Sequence, residues 1–251
     1  MLQYVQDKLV TKTNRMPFMQ IFYSSTCLYV IICIYLCRQI FILFERRMGK
    51  EQLNECKEVT LLIDATTLNK AINCVYDTAE KAIGYKPNPL DLVTFLCFAA
   101  LDSGLPHNDM NAKTKINFIY NESIQELDHC DSSNFEKELN HVGIHFGMGD
   151  FTFNSFPTAG MTNCGDMLLN ALGAFVIDNQ IHNLGVICNY DIIDDVQRII
   201  DDTNKKRNDI SITLTSIGPQ ENGINLFDVL MGSFNFTEEE HQKIENYVSL
   251  K

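Results

Sequence analysis

Acids gather where apolar runs end. VTLLI (59–63) runs into Asp64, with Thr66 and Thr67 behind it. LGVIC (184–188) runs into Asn189, Tyr190 and Asp191, with Asp194 and Asp195 one turn on. KINFIY (115–120) is followed by Asn121 and Glu122, and Asn163-Cys-Gly-Asp166 opens a helical pattern. If the fold brings these segments to one edge, the carboxylates repel and raise one another's pKa values. Mg²⁺ or Mn²⁺, which prefers hard oxygen ligands, relieves that repulsion. A cation held this way can activate water and stabilise charge on a phosphate. Each acid has a plainer use as well. Asp64, Asp166, Asp191, Asp194 and Asp195 stand at the start of a helical pattern, where a cap and a favourable dipole are worth ~1 kcal/mol.

The elements that would place these residues alternate. After the strand-like 59–63, Thr67 to Ile83 has one apolar stripe (Leu68, Ala71, Ile72, Val75, Ala79) and ends at Gly84. Residues 88–104 predict a second helix, with Asn88 as cap, Pro89 in the first helical position and Asp91 in the first turn. Strand 115–120 follows. Ser133 and Glu136 make a capping-box pattern for a short helix to Asn140. HVGIHF and GDFTFNSF alternate with period two and predict a hairpin near the sheet edge. A helix over 163–178 leads to the unbroken apolar run 184–188, as expected of a strand buried on both faces. A helix over 192–204, a strand over 210–217 and a helix opened by the Thr237–Glu240 capping box complete the chain. Strands separated by helices imply right-handed βαβ units. The expected fold is a three-layer α/β/α sandwich with a mainly parallel central sheet. Ligands of such sheets gather outside the carboxyl ends of the strands, where the acids stand.

This order resembles the NYN/PIN-like ribonuclease superfamily. LIDATTL matches its first acid after strand one, CGDMLLNAL its helix-start acid, and ICNYDII its stretch after a later strand. The resemblance spans roughly residues 59–217. It implies Asp64, Asp166 and Asp191 as catalytic and metal-binding acids, Mg or Mn as cofactor, and endoribonuclease activity on RNA. Thr66, Thr67, Asn189, Asp194 and Asp195 are secondary candidates. Three features depart from the family pattern: Thr67 replaces an Asn, Asn189 replaces the first of two acids, and no Lys or Arg is expected near Asp166. The site is therefore expected to be degenerate. The alternative is a non-catalytic protein-interaction module of the same fold. The LIDA strand and the hairpin ending in FPTAG also resemble an uncharacterised bacterial family of this size.

Other chemistries fit less well. A haloacid-dehalogenase-type phosphatase also starts strand–Asp, but Thr66 stands where its general acid belongs and no apolar strand precedes Gly165-Asp166. There is no G-x-S-x-G elbow, GxGxxG or Walker A loop, and no HExxH. His141 and His145 are expected on one face of an edge strand, and SFPTAGM (155–161) as either a pocket rim or a plain turn.

Charge divides the chain of 251 residues. Residues 1–47 hold six Lys/Arg against two Asp/Glu, a balance of +4, whereas 48–251 balance at −16. So acidic a body repels a phosphate backbone unless a cation intervenes, which argues for a protein partner as readily as for RNA. Residues 18–37 are apolar, broken at Arg38 and apolar again to Phe44. Twenty helical residues just cross a ~30 Å hydrocarbon core. The expected domains are thus an N-terminal extension, 1–47, and one α/β PIN-like domain, 48–251. The extension reads as a single-pass membrane anchor or as an over-extended start before Met48. The nine cysteines make no CxxC or zinc spacing, which implies reduced thiols and a cytoplasmic body.

Overall fold

The computed structural model describes residues 58–107, 109–216 and 224–249. The expected anchor at 18–44 lies outside them; among the described residues no helix is long and apolar enough to cross a membrane. The fold is the expected three-layer α/β/α sandwich. Its strands are β1 (Glu58–Asp64), β2 (Lys113–Tyr120), β3 (Val142–Phe146), β4 (Gly149–Pro157), β5 (Asn183–Cys188), β6 (Ser211–Ser216) and β7 (Ile224–Asn225). Its helices are α1 (Ala65–Ile83), α2 (Leu92–Asp102), α3 (Cys164–Phe175), α4 (Ile193–Asn204), α5 (Leu226–Ser233) and α6 (Glu238–Ser249). A 3₁₀ turn over Tyr190–Ile192 precedes α4.

The strand order is β3-β4-β2-β1-β5-β6-β7, and every pair is parallel except the β3–β4 hairpin. Period-two alternation in β1 sends Val59, Leu61 and Ile63 to one side and Leu62 to the other. The first side is covered by α1, α2 and α5, with α6 packed on α1. The second side is covered by α3 and α4 through Leu168, Leu172, Val196 and Ile200. Both faces of the central strands are dry, which is why those strands read as unbroken apolar runs.

Three local expectations change. Helix α2 starts at Leu92 and is capped by Asp91, not Asn88. Leu90 is held extended by a bridge to Cys130, its N–H donating to the His129 carbonyl, so residues 88–90 cannot wind. The helix expected at 133–140 is a set of turns. Ser133 is buried, and its hydroxyl is committed to the backbone of Leu127 on both sides, so Asn134 takes over the capping of Lys137. Helix α5 was not foreseen. The Thr237–Glu240 capping box, by contrast, forms reciprocally, and Gly84 closes α1 in the left-handed conformation.

Gly185 lies where β5 passes closest to its neighbours. A Cβ there would sit 2.2 Å from Ser103 Oγ and 2.6 Å from Leu61 Cδ2. Ser103 cannot easily yield, since its hydroxyl donates to the Ala99 carbonyl at 2.7 Å. Gly185→Ala is therefore expected to destabilise the fold by roughly 1–3 kcal/mol through overpacking, read as a shift of the urea midpoint at unchanged slope.

Candidate functional site

The connections leaving β1 and entering β5 run to opposite sides of the sheet. From β1 the chain goes through α1 and α2 to β2; from β4 it crosses back through α3 to β5, on the other flank of β1. That reversal opens a crevice at the carboxyl ends of β1 and β5, the usual ligand position in such sheets. Its volume is about 450 Å³.

Asp64 is its floor. It is only 3% exposed. Its Oδ1 accepts from the backbone N–H groups of Thr66 (2.9 Å) and Thr67 (3.2 Å), and its Oδ2 accepts from Thr67 Oγ1 (2.8 Å). Burial pushes its pKa above the ordinary 3.8, and these hydrogen bonds offset only part of the push. Asp166 and Asp191 stand on the exposed rim. Each is held by its own asparagine. Asn163 caps α3, accepting from the Asp166 N–H and donating to Asp166 Oδ2 at 2.7 Å. Asn189 accepts from the Asp191 N–H and donates to Asp191 Oδ2 at 3.0 Å. Gly165 lets these two turns meet: a Cβ there would lie 3.2 Å from Ile192. Across the crevice, Thr66 Oγ1 and Cys164 Sγ are 3.4 Å apart.

The three acids expected from the sequence thus line one crevice, together with Thr66, Thr67 and Asn189. Asp194 and Asp195 do not line it; Asp195 is paired with Arg198 on α4. Lys70, Ser123 and Cys164 also line it, and Lys70 corrects the expectation that no cation stands near Asp166, because α1 carries it to the same crevice. Thr66 and Lys70 are four apart on α1, a spacing that could have revealed the lysine. The SFPTAGM stretch lies outside the crevice: Ser155–Pro157 end β4, and the turn that follows has Ala159 and Gly160 left-handed and Thr158 tied to Glu122. His141 precedes β3, and His145 pairs with Asp150 across the hairpin, so the two do not act together.

The donor set does not fit a three-carboxylate metal centre. Among the described residues no group of three or more His, Cys, Asp or Glu is arranged to hold a metal ion. One of the acids is buried with both oxygens engaged, and the other two are exposed and bonded locally. The thiols are no substitute nucleophiles: burial raises Cys188 to about 12, and Cys164 also lies above its usual range.

Fold and crevice together define an α/β sandwich protein with a polar, carboxylate-bearing site at the switch point of its sheet. The chain belongs to a family of unknown function, DUF6621, whose family model matches residues 54–235. No curated protein and no solved structure matches it.

The raised pKa of Asp64 has a definite sign. The folded state holds this proton more tightly than the unfolded chain, so the cost of ionising Asp64 grows as pH rises from 3.8 through its elevated folded value. Asn caps helices as well as Asp. Asp64→Asn is therefore expected to gain stability relative to the parent as pH rises from about 4 to about 7, measured by urea unfolding at each pH. A relative loss over that interval would mean that the carboxylate is favoured in place.

Proposed function

We propose that this chain is a PIN/NYN-like domain whose crevice is a degenerate nuclease site, kept for binding rather than cleavage. One observation carries the reading. At both positions where a residue of the family pattern is replaced, the substituted residue donates to the neighbouring acid. Thr67 Oγ1 donates to Asp64 Oδ2, and Asn189 Nδ2 donates to Asp191 Oδ2. A bridging cation needs carboxylate oxygens free to face it. Here one oxygen of each of these two acids, Asp64 Oδ2 and Asp191 Oδ2, accepts from the residue that replaced the family's own, and a cation would compete with that bond. The acidic body adds to this, since it disfavours a phosphate backbone in the absence of bound cations. A polar or cationic group of a protein partner suits the crevice better than a nucleic acid.

Cleavage of labelled single-stranded RNA in Mn²⁺ tests this directly. The purified chain should cleave no faster than its Asp64→Asn variant. Mn²⁺-dependent cleavage that disappears in Asp64→Asn would instead make the protein an active Mg/Mn-dependent endoribonuclease.

A further inference from the structure

The β3 edge of the sheet offers a second site that shares no residue with the crevice. Strand β3 ends the order, and among the described residues nothing pairs with its outer edge. Chains commonly blunt such edges with Lys, Pro or an inward charge. Val142-Gly-Ile-His-Phe146 has none of these; His145 is occupied by Asp150, and Ile144 is 39% exposed.

A pocket of about 650 Å³ lies against this strand. Val142, Ile144, Phe153 and Leu139 form an apolar wall, and the start of α2 and the turn at 131–132 face it. Three carboxylates line the pocket, those of Asp91, Asp131 and Glu138, and no Lys, Arg or His does. Asp91 and Glu138 accept backbone N–H bonds, which fix the groups without cancelling their charge.

We propose that the β3 edge takes up an extended Lys/Arg-bearing peptide of a protein partner as an added strand. Backbone pairing along β3 would supply affinity, and the pocket would select alternate side chains. A Lys or Arg on that face lays its aliphatic stem along Val142 and Ile144 and its cationic head among the three acids. Charge complementarity decides the occupant: the body carries −16, so a basic strand is attracted, whereas a second copy brings like charge.

The test uses the full chain and a short fluorescein-labelled peptide of alternating Lys and Val, followed by anisotropy. Binding is expected. It should weaken by about tenfold or more when the peptide is N-methylated at alternate residues, which keeps its charge and removes its pairing. Asp131→Lys should weaken it by about tenfold as well, while Asp77→Lys, on the exposed face of α1, should not. The proposal is overturned by absence of binding, by equal binding of the methylated peptide, or by an equal loss in Asp77→Lys, which would show bulk charge attraction only. A sedimenting dimer that the peptide disperses would also overturn it, assigning the edge to a second copy. Should Asp131→Lys fail to fold, the methylated peptide still decides.

Discussion

The carboxylate of Asp64 does two jobs at one point in space. It ends the central strand, which is fixed on both flanks by β2 and β5, and it caps α1, the longest helix among the described residues, through the amides of Thr66 and Thr67. The position is costly, because the charge is withdrawn from water. Three local hydrogen bonds offset the cost in part, and all of them come from the first turn of the helix that the carboxylate starts. Strand, helix and crevice floor are therefore one unit. Any ligand that competes for this carboxylate competes with the start of α1.

The rim follows the same rule at lower cost. Asn163 and Asn189 each cap a helical turn with the side-chain oxygen and hold an aspartate with the side-chain nitrogen. Three helix starts thus meet at one crevice, each bringing its own acid. Asp64 accepts from the amides of its own turn, whereas Asp166 and Asp191 are each held by the asparagine that caps theirs. A cluster that reads as a cation centre in sequence is, in space, three capped turns side by side.

Much of this was legible beforehand, for identifiable reasons. VTLLI, KINFIY and LGVIC announce buried parallel strands because both faces are dry. The stripe of Leu68, Ile72 and Val75 announces α1 because only one face is. The convergence of Asp64, Asp166 and Asp191 on one crevice followed from strand ends and the usual behaviour of parallel sheets. What failed depended on contacts that periodicity does not encode. Leu90 is extended because Cys130, forty residues on, pairs with it. Ser133 is turned inward because its hydroxyl bonds the backbone of Leu127, a neighbour in sequence whose direction no spacing rule gives. Lys70 follows Thr66 by one helical turn, a legible spacing, but nothing local says that this face of α1 lines the crevice. The engagement of each carboxylate by its neighbour is likewise a matter of side-chain direction, which spacing alone leaves open.

The two walls of the crevice belong to different layers. Thr66 and Lys70 ride on α1, on one side of the sheet, whereas Cys164 and Asp166 ride on α3, on the other. The α1 wall is braced from behind: Asn69 and Asn73 both donate to Asp128, and Tyr76 stacks on His129 at 3.6 Å. The far end of α3 is braced too, by Arg207 donating to the carbonyls of Val176, Asp178 and Ile181. Between the walls runs the contact of Thr66 with Cys164, a hydroxyl against a thiol and weak by nature. The crevice is thus a seam between two braced layers, fastened lightly at its mouth. The weakest contact in the neighbourhood stands where a ligand would enter, and the stronger ones stand behind the walls.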